Sequence, residues 1–274
     1  MKTIIAPTDF SPLANIATNY AAGLAMDLNA TLVLIHAIHM EGPPRAILKE
    51  SAIENAMIKA AEVNGQALVQ ELRKRTGEKL AVEIKVLKGY PVHDVVEECA
   101  RQAGAGLVVI GTRGASGIKI VLLGSTATSV IDHSSIPVIA VPELAQYKGI
   151  KKVLYATDLI HLEEEIEALA FFTAIFKARM DAVHVSIPDE ELTTEEQQVL
   201  ERLSSGNLHP EIYFHALRGE SVVEAINKFA TVNQANLIAL FTHHLGFFKR
   251  LFNKSVAREM AFHTQIPLFT FRKN

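Results

Sequence analysis

Apolar positions along the chain alternate between short continuous runs and helical spacing. Lys2 to Ala6 is a short run that Pro7-Thr8-Asp9 stops, so it reads as a buried strand. Ser11 followed by Pro12 marks a helix start, with a capping hydroxyl and proline at the first helical position. Leu13, Ile16, Ala17, Tyr20, Ala21, Leu24 and Leu28 then fall on one helical face. Ala30 to Ile38 is a second strand, and Gly42-Pro43-Pro44 breaks the chain. A long helical region runs to about Thr76, with Gly65 as an expected interruption. Ala81 to Leu87 is a third strand, followed by the turn Lys88-Gly89-Tyr90-Pro91. Val92, Val95, Val96, Cys99 and Ala100 share one face of the next helix. Leu107 to Ile110 is a fourth strand that ends at Gly111. A glycine-rich loop leads to a helix opening near Ser125, and Pro137 to Val141 closes the pattern. Strands alternating with helices in this way predict right-handed crossovers and a parallel sheet covered on both faces.

The pattern then starts again. Lys152-Val153-Leu154-Tyr155-Ala156-Thr157-Asp158 repeats the passage from Ile4 to Asp9 at an offset of 149, and Ala182 to Val185 repeats Leu34 to Ala37 at 148. Leu217-Arg218-Gly219 repeats Leu87-Lys88-Gly89, and the offset then stays at 130: Leu107 pairs with Leu237, Ser125 with Ser255, Ala127 with Ala257 and Pro137 with Pro267. The second copy is shorter between its second and third strands. The sequence therefore predicts two tandem α/β domains, 1–145 and 150–274, with the boundary near Glu143 to Gly149. A tandem of complete units suits a pseudo-dimer within one chain.

Composition narrows the class. With 49% apolar residues and no Trp, the chain can build the Val/Ile/Leu/Ala core of a covered parallel sheet. A net charge of −3 gives no reason to expect nucleic acid as a partner. One cysteine, Cys99, excludes an intrachain disulfide and a multi-cysteine metal site, and its place on an apolar helix face predicts a buried, inert thiol. The opening MKTIIAPTDF has too short an apolar run for a signal peptide, and no run approaches a membrane span. The expectation is a cytoplasmic protein with no membrane partner.

The candidate chemistry lies in Gly111-x2-Gly114-x9-Gly124-Ser125, at the end of the fourth strand. Glycines let backbone N–H groups approach an anion, and a helix opening near Ser125 adds its positive dipole end. The spacing is neither a Walker A loop nor a dinucleotide-binding fingerprint, since no Gly-Lys-Ser/Thr follows and Gly104-Ala105-Gly106 precedes a strand. A phosphate cradle and an ordinary turn-rich surface loop both fit it.

This spacing resembles the nucleotide-binding signature of the universal stress protein family. The opening Ile4-Ile5-Ala6-Pro7-Thr8-Asp9-Phe10-Ser11, the strand ending in His36 and the closing Ser135-Ile136-Pro137-Val138 are similar to that family as well. The likeness covers both halves, so the chain resembles a tandem-type member. It implies, in each half, an open five-stranded parallel sheet of the adenine-nucleotide alpha hydrolase-like type, in order 3-2-1-4-5 and flanked by helices. Some members bind ATP and others do not, and the loop glycines separate them. Carried over by position, Pro7, Thr8 and Asp9 would line the nucleoside side of the pocket. Asp9 would bond a ribose hydroxyl or help hold Mg²⁺ beside ATP, although a helix-start acid is the plainer role for it. Ala37 would contact the adenine, and Ile110 and Gly111 would lie against base and ribose. Gly114, Gly124, Ser125 and Thr126 would hold the phosphates, with Arg113 and Lys119 in the same loop as charge partners or as solvated side chains. In the family, dimers pair through the last strand, which makes Pro137–Val141 and Pro267–Phe271 the expected seam between the copies; a further homodimer stays open.

The second copy departs from the motif. Phe241 stands for Gly111, His244 for Gly114 and Lys254 for Gly124, while Ser255 persists. Side chains there would occupy the space of a phosphate, and Lys254 is expected to reach Asp158. His36 and His184 end equivalent strands and read as structural. His243-His244 is a metal candidate only with His263 or Asp158. Phe247 to Phe252 reads as a cover for the vacated pocket or an interface, ahead of a patch for a partner or a membrane surface. Glu163-Glu164-Glu165 opens a helix, as its dipole favours, and is not read as an acid–base site. These readings converge on a stress-response regulatory protein that binds ATP in its first domain, with the second as pseudo-dimer partner. Two alternatives stay open: a slow ATP-hydrolysing enzyme, for which Asp9 is the one base or metal anchor that can be named, and an interaction protein holding another small ligand. No catalytic residue is assigned.

Overall fold

The structure is a computed structural model. It describes residues 1–39, 47–112, 124–159, 161–187, 197–198, 201, 212–241 and 265–271, with the side chains of 47–51 excepted. Arg113, Gly114, Lys119, His243, His244, Phe247 to Phe252, Lys254, Ser255 and His263 therefore lie outside the described residues. The chain divides into two compact units, Met1–Tyr147 and Lys148–Asn274.

In the first unit the elements run β1 (Thr3–Pro7), α1 (Pro12–Leu28), β2 (Thr31–Ile38), α2 (Ile47–Arg75), β3 (Val82–Lys88), α3 (Val92–Ala103), β4 (Leu107–Gly111), α4 (Ser125–His133) and β5 (Val138–Val141). All its strands are parallel, in the order β3-β2-β1-β4-β5. The order reverses direction between β1 and β4, the topological switch point at which open α/β sheets bind ligands. Ile4, Ile5, Leu32, Leu34, Leu107, Val108 and Ile139 are buried at the centre, because strands covered on both faces carry continuous apolar runs.

The local signals act as their chemistry dictates. Ser11 caps α1 by accepting from the Ala14 N–H at 3.1 Å, and Pro12 follows. Gly65 does not interrupt α2, which runs through it. A Cβ at Gly65 would stand 2.6 Å from Ile84 Cγ1, so this glycine allows the helix to lie close on β3. Cys99 is buried on α3, and burial pushes its thiol up. Near the end of the unit, Tyr147 donates to Asp27 at 2.6 Å and meets Tyr20 edge-on, against the open side of Gly23.

The second unit repeats the plan: β6 (Lys152–Ala156), α5 (Leu162–Phe176), β7 (Arg179–Ser186), β8 (Ile212–Arg218), α6 (Val222–Val232), β9 (Leu237–Phe241) and β10 (Leu268–Phe271). Its strand order is β8-β7-β6-β9-β10, again parallel. Individual hydrogen bonds recur at the repeat offsets. Val108 N–H donates to Pro137 O and Ile238 N–H to Pro267 O; Gly89 N–H donates to Ile38 O and Gly219 N–H to Ser186 O. Each chain half is thus a complete open sheet with its own switch point. No helix among the described residues is long and apolar enough to cross a membrane.

Candidate nucleotide site

At the switch point of the first unit lies a cavity of about 280 Å³. The ends of β1, β2 and β4 and the first turn of α4 enclose it. Of the residues carried over from sequence, Pro7, Thr8, Asp9, Ala37, Ile110, Gly111, Gly124, Ser125 and Thr126 all line it. The lining also includes Ala14, Ile35, His36, Val92 and Ala127, which the motif did not single out. Those are mostly apolar positions on ordinary helix and strand faces, so no local signal marks them.

The β1 end of the cavity is a tightly wound turn. Thr8 N–H donates to Ile35 O at 2.8 Å, joining β1 to β2. Thr8 Oγ1 accepts from Phe10 N–H at 3.0 Å, and Asp9 Oδ1 accepts from Ser11 N–H at 3.0 Å. Phe10 takes a positive φ of 61° inside this turn, and its ring stacks on His36 at 4.6 Å. His36 Nδ1 donates to Thr8 O at 2.8 Å. His36 is therefore structural, fixing the turn that presents Asp9, and it also forms part of the wall. The buried Thr8 spends its hydroxyl on the turn. Asp9 is exposed and does two things at once: it closes the turn and it lines the cavity.

The opposite wall is the start of α4. Gly124 occupies the N-cap with φ −58° and ψ 152°, and no side chain caps the helix. The first-turn N–H groups of an α-helix lack intrahelical partners, and with no side-chain cap they are available to an anion. Gly124 N–H donates to Thr112 O at 2.6 Å, which holds this turn against the end of β4. The wall thus combines uncapped amides, the Ser125 and Thr126 hydroxyls and a positive dipole end. An exposed carboxylate faces them from β1. This polarity suits a ligand with a polyol near Asp9 and negative charge near α4. Among the described residues there is no group of three or more His, Cys, Asp or Glu side chains that could hold a metal. A Mg²⁺ here would need the oxygens of a phosphate chain, with Asp9 as a protein contribution.

The same turn exists in the second unit. Thr157 N–H donates to Val183 O at 3.0 Å, His184 Nδ1 to Thr157 O at 3.1 Å and Leu159 N–H to Thr157 Oγ1 at 2.9 Å. Leu159 has the positive φ, 69°, that Phe10 has in the first unit. What surrounds it is different. Phe241, in the place of Gly111, is buried; it stacks on Phe271 at 5.0 Å and meets Tyr155 edge-on at 5.9 Å. Tyr155 stands where the first unit has Ala6, and its hydroxyl bonds the buried Glu165 carboxyl in a short contact. Glu165 is thus more than a helix-start acid, correcting the reading from sequence, whereas its neighbours Glu163 and Glu164 are exposed. Burial, with a smaller push from the Asp158 charge, raises Glu165 to about 8, against a lowering from the Tyr155 hydrogen bond.

Comparison with known proteins follows the same lines. The model of the Universal stress protein family matches residues 1–142. A universal stress protein of Mycolicibacterium smegmatis is 27% identical over 290 residues, spanning 98% of this chain and 96% of its own length. Universal stress protein G of Escherichia coli O157:H7 is 33% identical over 147 residues, 51% of this chain and 98% of that protein. Among solved structures, a universal stress protein from Archaeoglobus fulgidus shares the fold at a TM-score of 0.64 and 17% identity, over 99% of this chain and 98% of that one. With a family model matching more than half of the sequence, this chain belongs to the universal stress protein family.

Proposed function

We propose that the first unit binds ATP and that the chain acts as a stress-response regulatory protein, with the second unit as its pseudo-dimer partner. The observation that carries the reading is the pairing, across one cavity, of the uncapped α4 start at Gly124 with the exposed carboxylate of Asp9. Ribose hydroxyls would bond Asp9, the base would lie along Ala37 and Ile110, and phosphates would meet the amides and hydroxyls from Gly124 to Thr126. When bound with the triphosphate, Mg²⁺ would supply charge neutralisation. Asp9 would orient it through the oxygen geometry that hard cations prefer.

The test is native mass spectrometry of the purified full-length chain, before and after addition of ATP. A bound mass matching ATP, displaced in Asp9→Ala, supports the reading. A different co-purified mass that ATP does not displace contradicts it and favours another small ligand.

A further inference from the structure

Beside the cavity, two histidines from different helices stack on each other. The rings of His93 on α3 and His133 on α4 lie 4.1 Å apart at 20°. Both are also tied to Ser129: its Oγ lies 2.6 Å from His93 Nδ1, and its backbone carbonyl accepts from His133 Nδ1 at 2.8 Å. His93 has a side-chain exposure of 16%, while His133 is exposed. The cluster adjoins the cavity at both helices. Val92, the residue before His93, lines it, and Ser125 and Thr126 line it one helical turn before Ser129.

We propose that His93 and His133 form a clamp that positions the first turn of α4 for the nucleotide, and that protonation of the pair weakens nucleotide binding. This rests on the nucleotide reading above. Stacked at 4.1 Å, the rings tolerate one positive charge between them, but two repel across a partly dry contact. A clamp that has opened takes both protons without that penalty. Falling pH therefore favours the open form. Opening separates α4 from α3 and displaces the Gly124–Thr126 turn from its place opposite Asp9.

The surrounding charges set where this happens. On α3, Asp94 lies 3.5 Å from His93 Nε2 and is itself exposed, and Glu97 bonds Ser135 beyond the end of α4. On α4, Asp132 precedes His133, which lies in the last turn of the helix. On β2, His36 is the titratable side chain, occupied at Nδ1 by Thr8 O; β1 and β5 carry none.

The test is calorimetric titration of ATP into the full-length chain from about pH 8 to about pH 5.5, compared with His133→Gln and His93→Gln under identical conditions. Comparing slopes removes protonation of ATP itself, and the absolute affinities of the variants do not enter. The wild-type affinity is expected to fall on acidification about 3- to 10-fold more than either variant's. Equal slopes, or binding that tightens on acidification, would overturn the clamp. Imidazole proton resonances of the ligand-free chain give a second readout. His93 and His133 should titrate in two coupled steps that collapse to one ordinary step in each variant; independent titrations contradict the proposal. Absence of ATP binding at every pH would count against the nucleotide reading, and the resonance titration would still decide the clamp.

Discussion

The two units hold their β1 and β6 ends in the same bonds and place different chemistry behind them. In each, a threonine hydroxyl closes a turn onto a residue of positive φ, and a histidine from the next strand locks the threonine carbonyl. Around that shared frame, Ala6 becomes Tyr155, Gly111 becomes Phe241 and Val33 becomes Asp181. The first turn of α1 carries no acid, whereas that of α5 carries Glu163, Glu164 and Glu165. The polar frame of the turn depends on backbone geometry, which both sequences satisfy. What a pocket can hold depends on side chains at strand ends, which are free to change without disturbing the sheet.

The largest expected difference between the units is in their response to pH. Glu165 is pushed up to about 8 from its ordinary 4.5, so the folded second unit binds this proton more tightly than the unfolded chain does. Its contribution is present at low pH and is lost as pH rises from about 4.5 to about 8, by up to roughly 4 kcal/mol. Hydrogen exchange of the β6 and β9 amides should therefore speed up over that window relative to β1 and β4. Glu165→Gln should flatten the difference; an increase in protection with rising pH would contradict the assignment.

Gly124→Lys carries the second unit's residue into the first. Binding measured by calorimetry should weaken by about 100-fold or more, since the long lysine side chain then occupies the space a phosphate needs beside the helix start. Gly124→Ala is the control. The backbone at Gly124 lies in the extended region that any residue adopts, so the alanine variant should stay within about threefold.

Asp181 gives a third contrast. It is buried in β7, bonded to Arg179 at 2.8 Å and to His215 at 3.1 Å, with Lys152 at 3.8 Å. Removing Arg179 and His215 together should cost about 3 kcal/mol in denaturant unfolding, because a buried carboxylate loses its partners. Asp181→Val, which restores the first unit's side chain, should cost less than about 1 kcal/mol. Equal costs would show that the ion cluster is not what the second sheet needs.

These contrasts also mark what the sequence made legible. Pro7, Thr8 and Asp9 were readable as a strand stop and Gly124 as part of a turn-rich loop before a helix, because proline, hydroxyl, carboxylate and glycine each have a local role there; their place in one site came from the family resemblance alone. The alternation of strands and helices was readable because period and turn chemistry agree. Ala14, Val92 and Ala127 were not, since a cavity wall looks like any apolar helix position. Glu165 read as a dipole-favoured acid because its burial depends on Tyr155, a residue of another element. The His93–His133 stack was hidden for the same reason: only the packing of α3 on α4 brings the rings together. Gly65 looked like a break because the sequence does not reveal how near Ile84 would come.

The division of labour between the units is tested most directly by the number of nucleotides each chain takes up. Equilibrium titration of the full-length chain with ATP should saturate at one nucleotide per chain, with Gly124→Lys weakening that site by about 100-fold or more. Two equivalent sites per chain, or a site of undiminished affinity in Gly124→Lys, would contradict the assignment of binding to the first unit alone.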